Sequence, residues 1–106
     1  MSEVCLILTN FPDLDQARQI GTALVEKQLV ACVNILPPCE SIYRWKGNLC
    51  RENEIPAILK TCQSKLAELE AEFYRLHSYE VPEFLVISPD GGSEVYLEWV
   101  AKLGGD

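Results

Sequence analysis

The sequence holds a single histidine and no pair of cysteines spaced C-x-x-C, so the usual zinc knuckle is missing. No apolar run approaches the ~18 residues of a membrane span. The start, Met1-Ser2-Glu3, lacks a basic region followed by an apolar stretch, which predicts no signal peptide and a cytoplasmic chain. Basic side chains are scarce: 9 Lys and Arg stand against 16 Asp and Glu, for a net charge of −7. That scarcity argues against nucleic acid, whose phosphates call for clustered Lys and Arg, and against anionic membranes. The motifs G-x-S-x-G, H-E-x-x-H, G-x-G-x-x-G and the P-loop are absent. No enzymatic activity is expected.

What is present suits one folded domain spanning residues 1–106, with 48% apolar content and no repeats or linkers. Five cysteines, Cys5, Cys32, Cys39, Cys50 and Cys62, are an odd number that a closed disulfide framework would not use up. Reduced thiols in a cytosolic protein fit better. Buried small apolar side chains are one use for them. A soft-metal site built from distant residues or several chains is another.

Punctuation along the chain predicts the elements. Val4–Thr9 reads as a buried strand, ended by Asn10-Phe11-Pro12. Asp13 with Gln16 forms a capping pattern before a helix with Leu14, Ala17, Ile20, Gly21, Leu24 and Val25 on one face. Gly21 lowers helix propensity and marks a close packing contact. Leu29–Leu36 reads as a second strand, broken by Pro37-Pro38 and resumed at Ser41–Trp45. Lys46-Gly47-Asn48 is a turn. A third strand runs from Leu49 to Thr61, with Ile55, Ala57, Leu59 and Thr61 on one face and Glu54, Pro56, Ile58 and Lys60 on the other. Pro56 predicts an edge or a bulge there. Ser64 is expected to cap a helix carrying Leu66, Leu69, Phe73 and Leu76. Phe84–Ser88 is the fourth strand. Ser93 caps a last helix with Tyr96, Trp99, Val100 and Leu103, ended by Gly104.

The order β-α-β-β-α-β plus a terminal helix predicts an α+β, ferredoxin-like sandwich with both main helices on one sheet face. The other face would expose an apolar patch and a long edge, which predicts an oligomer.

Three clusters bear chemistry. Tyr43-x-Trp45-x-Gly47 is an aromatic hairpin cap or one wall of a ligand pocket. Glu54 and Lys60 share a strand face about 20 Å apart, too far to pair, so each needs a partner elsewhere. They are salt-bridge partners or pocket lining. His77-Ser78-Tyr79-Glu80 closes a helix, where His77 is favoured by the helix dipole or serves as a ligand or base.

Together, Ala31-Cys32-Val33-Asn34-Ile35, Ser41-x-Tyr43-x-Trp45-x-Gly47, Glu54 with Leu59-Lys60-Thr61, His77-x-Tyr79-Glu80-Val81-Pro82-Glu83 and Tyr96-Leu97-x-Trp99 resemble the CutA family of divalent-cation-tolerance proteins. The resemblance covers about Val4 to Leu103. It implies a ferredoxin-like fold, a homotrimer held through the long hairpin strands, and a response to metal ions, with copper or another divalent metal as the bound ion. No metal is expected to be required for folding. Carried over by position, Cys32 and His77 are the implied metal ligands, and Trp45, Glu54, Lys60, Tyr79 and Glu80 fall around clefts between subunits. Ser78 stands where the family motif has proline, and Thr9 where some members have cysteine. The alternative implied is a regulatory trimer, like the PII proteins, that binds a small molecule in those clefts.

Overall fold

The computed structural model describes residues 3–105. Met1 and Ser2, on which the expected lack of a signal peptide partly rests, lie outside the described residues. Five strands and three α-helices follow one another: β1 (Val4–Phe11), α1 (Leu14–Glu26), β2 (Cys32–Ile35), β3 (Cys39–Trp45), β4 (Asn48–Cys62), α2 (Leu66–Leu76), β5 (Leu85–Ile87) and α3 (Glu94–Ala101). The result is a mixed α+β fold around an antiparallel sheet with the strand order β2-β4-β1-β5, while β3 also pairs with β4.

The helix starts follow local chemistry. The Asp13 carboxylate accepts the Gln16 backbone N–H at 2.8 Å, and Ser93 does the same for Tyr96 at 3.3 Å. Ser64 does not cap α2. Residues Gln63–Lys65 form a short 3₁₀ turn, and α2 begins after Lys65 without a side-chain cap. The Ser64 hydroxyl instead lies 3.3 Å from Cys62 Sγ. At the end of α1, Gln28 takes a φ of 58°. Its N–H reaches the Val25 carbonyl while that of Leu29 reaches Leu24, a Schellman closure made without glycine. The β3–β4 turn uses Lys46 (φ 50°) and Gly47 (φ 82°), the paired left-handed conformations of a tight hairpin.

The core lies between the sheet and two helices. Cys5, Ile7 and Phe11 of β1 and Ala57 and Leu59 of β4 bury against Ala17, Ile20 and Leu24 of α1 and Leu69 and Phe73 of α2. These strand residues are the alternate positions expected from a period of two. Gly21 is the close contact anticipated: a Cβ there would sit 3.3 Å from Val33 Cγ1. Helix α3 crosses to the opposite face, where Val100 packs on Val4 and Ala31. Thr61, wholly buried, donates its hydroxyl to the Leu29 carbonyl at 2.7 Å.

Pro56 sits in a strand paired on both sides, so it is not on an edge. It pairs with Asn10 of β1, and its carbonyl accepts Leu36 N–H at 2.9 Å. Having no N–H to return, it coincides with the end of β2 and the Pro37-Pro38 break. The second strand is correspondingly shorter than expected. Beyond the break, β3 and the first half of β4 form an arm paired from Cys39–Glu54 to Trp45–Asn48. The molecule spans 45 Å along its long axis.

Candidate functional site

One face of the arm and the segment after α2 line an open pocket of about 310 Å³. Cross-strand pairing puts Tyr43, Trp45 and Glu54 on one face of the arm, since Tyr43 opposes Cys50 and Cys39 opposes Glu54. The segment after α2 supplies Tyr79, Glu80 and Glu83, and β1 supplies Asn10.

Glu54 is the buried charge, 8% exposed. Its Oε2 accepts the Tyr79 hydroxyl at 2.8 Å. Burial, then the Glu54 carboxylate, drive the Tyr79 phenol well above the usual tyrosine range, because ionising it would place two negative charges together. Among the described residues, Glu54 joins no ion pair.

His77 fixes the far wall. Its Nε2–H donates to the Asn10 carbonyl at 2.8 Å, and its Nδ1 accepts the Tyr79 backbone N–H at 3.1 Å. This is the neutral tautomer with both nitrogens engaged. The ring stacks on Phe11 at 5.2 Å and tilts against Phe73 at 5.1 Å and Tyr79 at 4.7 Å. Burial pushes its pKa below the ordinary value, against the raising effects of the Asn10 carbonyl and Glu54.

Asn10 is held by its amide nitrogen, which donates to Glu83 Oε1 at 2.7 Å. Thr9 Oγ1 donates to the Glu83 carbonyl at 2.6 Å. The other end of the Asn10 amide, Oδ1, is buried with no hydrogen-bond partner. Such an orphaned acceptor is costly and uncommon. At the mouth, Lys46 Nζ lies 5.6 Å from the Trp45 ring centroid and 3.6 Å from Glu80 Oε1.

Four of the expected residues therefore converge: Trp45, Glu54, Tyr79 and Glu80. Lys60 and Cys32 do not join them in one copy. They oppose each other across β2 and β4, six residues along the strand from Glu54, about 20 Å. Lys60 Nζ donates to the Tyr96 hydroxyl at 3.1 Å and lies 5.4 Å from that ring's centroid. Cys32 Sγ lies 3.9 Å from Asn34 Oδ1. His77 and Cys32 are likewise apart, since His77 bonds Asn10, which opposes Pro56, whereas Cys32 opposes Lys60. Among the described residues, no group of three or more His, Cys, Asp or Glu side chains is placed to hold a metal ion. All five cysteines are free thiols. One copy's side chains do not complete a resident metal centre: Cys32 and His77 lie apart, and both ring nitrogens of His77 are engaged with the backbone.

Asn10 and Glu83 escaped the sequence reading as pocket residues. Tyr43 had a local signal, its i, i+2 spacing from Trp45 on one strand face. Asn10 and Glu83 had none, because a contact 73 residues apart along the chain defines them.

A family model of the CutA1 divalent ion tolerance protein matches residues 5–103. The chain belongs to the CutA1 family. It is 39% identical to the divalent-cation tolerance protein CutA of Thermus thermophilus, covering 99% of this chain and 100% of that one. Some CutA relatives are longer: the chain spans 52% of the Mus musculus protein CutA, which it matches at 42% identity over 87% of its own length. Among solved CutA structures, CutA1 of Shewanella sp. SIB1 superposes with a TM-score of 0.89 at 42% identity, covering 93% of this chain and 92% of that one. CutA of Archaeoglobus fulgidus, described as periplasmic, superposes at 0.90 with 33% identity, covering 96% and 99%. No helix among the described residues is long and apolar enough to cross a membrane. The family is named for metal tolerance and not for catalysis.

Proposed function

We propose that the chain acts in tolerance to divalent metal ions as a homotrimer, with the metal ion as its cargo. The observation that carries this reading is the unfinished apolar surface. Leu85 and Ile87 are 56% and 39% exposed on the open sheet face, and Ile42 and Leu49 of the arm are 59% and 71% exposed. Large apolar side chains left open on the sheet face and along the arm suit an interaction site. Counting β2 and β3 as one interrupted strand, the order is that of a ferredoxin-like sheet. The arm is then the element that joins copies.

In this reading the ion is copper first, because a thiolate prefers soft metals. Cys32 supplies that thiolate, and neighbouring copies supply the other ligands. His77 we assign to shaping the pocket, since metal binding there would break one of its two backbone bonds. Free thiols fit a reducing compartment, so the cytoplasm is the compartment assigned to this chain. No catalytic activity is assigned.

Light scattering at neutral pH should give about three times the 11.9 kDa chain mass. Equilibrium dialysis against copper should show binding that Cys32→Ser weakens. A monomer mass removes the assembly, and unchanged stoichiometry and affinity in the variant remove the ligand.

A second reading rests on the buried unpartnered Asn10 Oδ1 and the buried Glu54 carboxylate, both on residues that line the pocket. The pocket is then a small-molecule cleft, as in a regulatory trimer. Ligand-dependent stabilisation in a thermal-shift screen tests it.

A further inference from the structure

We propose that Asp90-Gly91, in the link between β5 and α3, is a modification site at which the aspartate isomerises spontaneously to isoaspartate.

The chemistry has three local requirements. The carboxyl must be free to turn back on the chain, the next amide must be open to it, and the backbone must be able to bend. Among the described residues, the Asp90 carboxylate takes part in no hydrogen bond or ion pair. The Gly91 N–H makes no backbone hydrogen bond there, and a Cβ built at Gly91 would meet nothing within 4 Å. Both residues are exposed and lie outside the helices and strands. Glycine gives this link the widest backbone freedom, and Pro-Asp-Gly is a turn sequence.

The other described aspartates, Asp13 and Asp15, lack these features. The Asp13 carboxylate is held by the Gln16 N–H at 2.8 Å and is followed by Leu14. Asp15 sits in the first turn of α1, where helical dihedrals keep its carboxyl from the next amide.

The bond changes balance with water alone. The Gly91 amide nitrogen attacks the side-chain carboxyl carbon of Asp90. An N–C bond forms, and the amide hydrogen and the carboxyl OH leave as water. The five-membered imide then takes water back. Opening at the side-chain carbonyl restores aspartate. Opening at the main-chain carbonyl leaves Gly91 joined through the former side chain and frees the α-carboxylate. Mass and charge are unchanged, and the backbone is one carbon longer.

That carbon falls in a link with both ends held. Ile87 ends β5 in register with Leu6. Beyond Gly91, a Cβ at Gly92 would stand 3.3 Å from Leu97 Cδ2, and Ser93 caps α3 through the Tyr96 N–H. The lengthening is absorbed between these anchors, so α3 keeps its seat.

The test incubates the assembled protein at 37 °C and pH 7.4. Asp90→Glu, Gly91→Ala and wild type unfolded in guanidinium chloride run beside it, and light scattering and circular dichroism follow the native samples. Trypsin releases residues 76–102, in which Asp90 is the one aspartate and no asparagine occurs, so isoaspartate in that peptide belongs to residue 90. It is read as a separated peak of equal mass that accepts a methyl group from S-adenosylmethionine through an isoaspartyl methyltransferase. Native wild type should accumulate it with assembly mass and helix content unchanged. Asp90→Glu, whose imide ring would be six-membered, should lose it, and Gly91→Ala should show at least fivefold less. Isoaspartate in the unfolded chain and none in the native protein overturns the proposal, because the fold or a neighbouring copy then shields the site. Equal accumulation in Gly91→Ala and wild type overturns it as well, as does no isoaspartate in either state.

Discussion

Tyr79 donates its phenolic proton to Glu54, 2.8 Å away, and so joins the segment after α2 to the base of the arm. Tyr79→Phe removes the donor and leaves a buried carboxylate short of a partner. Loss of one hydrogen bond to a buried charged group costs about 1–3 kcal/mol. Urea unfolding should show that loss, and a smaller one in Glu54→Gln, whose amide oxygen still accepts from Tyr79. Equal stability of Tyr79→Phe and wild type would mean the bond contributes nothing.

Stability should depend on His77 below neutral pH. Its pKa is lowered in the fold by burial from an ordinary 6.5. Just below that value the unfolded chain binds more protons than the folded one, so stability falls as pH falls. The contribution is complete above about pH 6.5 and is lost as pH drops through the folded value. Urea midpoints at pH 7.5 and 5.5 should differ more in wild type than in His77→Gln. Parallel pH dependence in the two proteins would exclude His77 as the cause.

The hydroxyl of Thr61 is the sole difference in shape-matched terms between that residue and valine, and it donates to the Leu29 carbonyl. Thr61→Val should therefore cost about 1–3 kcal/mol by leaving that carbonyl unpaired. Thr61→Ser keeps the donor and loses a methyl group, about 1 kcal/mol. A valine variant as stable as wild type would show that the carbonyl finds another donor.

Leu85 lies on the open sheet face, in register with Leu8 of β1. Leu85→Asp puts a charge where association needs apolar surface. The expected outcome is a single-chain mass by light scattering with the far-ultraviolet circular dichroism retained. A mass unchanged from wild type would place the association surface elsewhere.

Much of this was legible because it is local. Asp13, Ser93 and the alternation Ile55-Ala57-Leu59-Thr61 are decided within a few residues, by capping and by the strand's period of two. Ser64 misled because the chain spends Gln63–Lys65 in a 3₁₀ turn before α2, a choice no cap motif encodes. Leu29 to Ala31 are apolar enough for a strand, yet Leu29 is spent closing α1. For the site, Trp45, Glu54, Tyr79 and Glu80 came through the resemblance, and the fold does bring them together. The distance of Lys60 from Glu54 followed from strand spacing alone, but its partner Tyr96 needed the fold, and Asn10 needed its long-range bonds to His77 and Glu83.

Pro56 divides β4 into two regimes of protection. From Ile55 to Cys62 the strand is laddered to β1 on one side, so its amides should exchange with deuterium only on wide unfolding. From Asn48 to Glu54 its partner is β3, an arm of exposed side chains whose opening leaves the core closed. Deuterium uptake along this one strand should thus read out two events, arm opening before the proline and global unfolding after it. A change in protection confined to the arm would be the signature of a neighbouring copy arriving there.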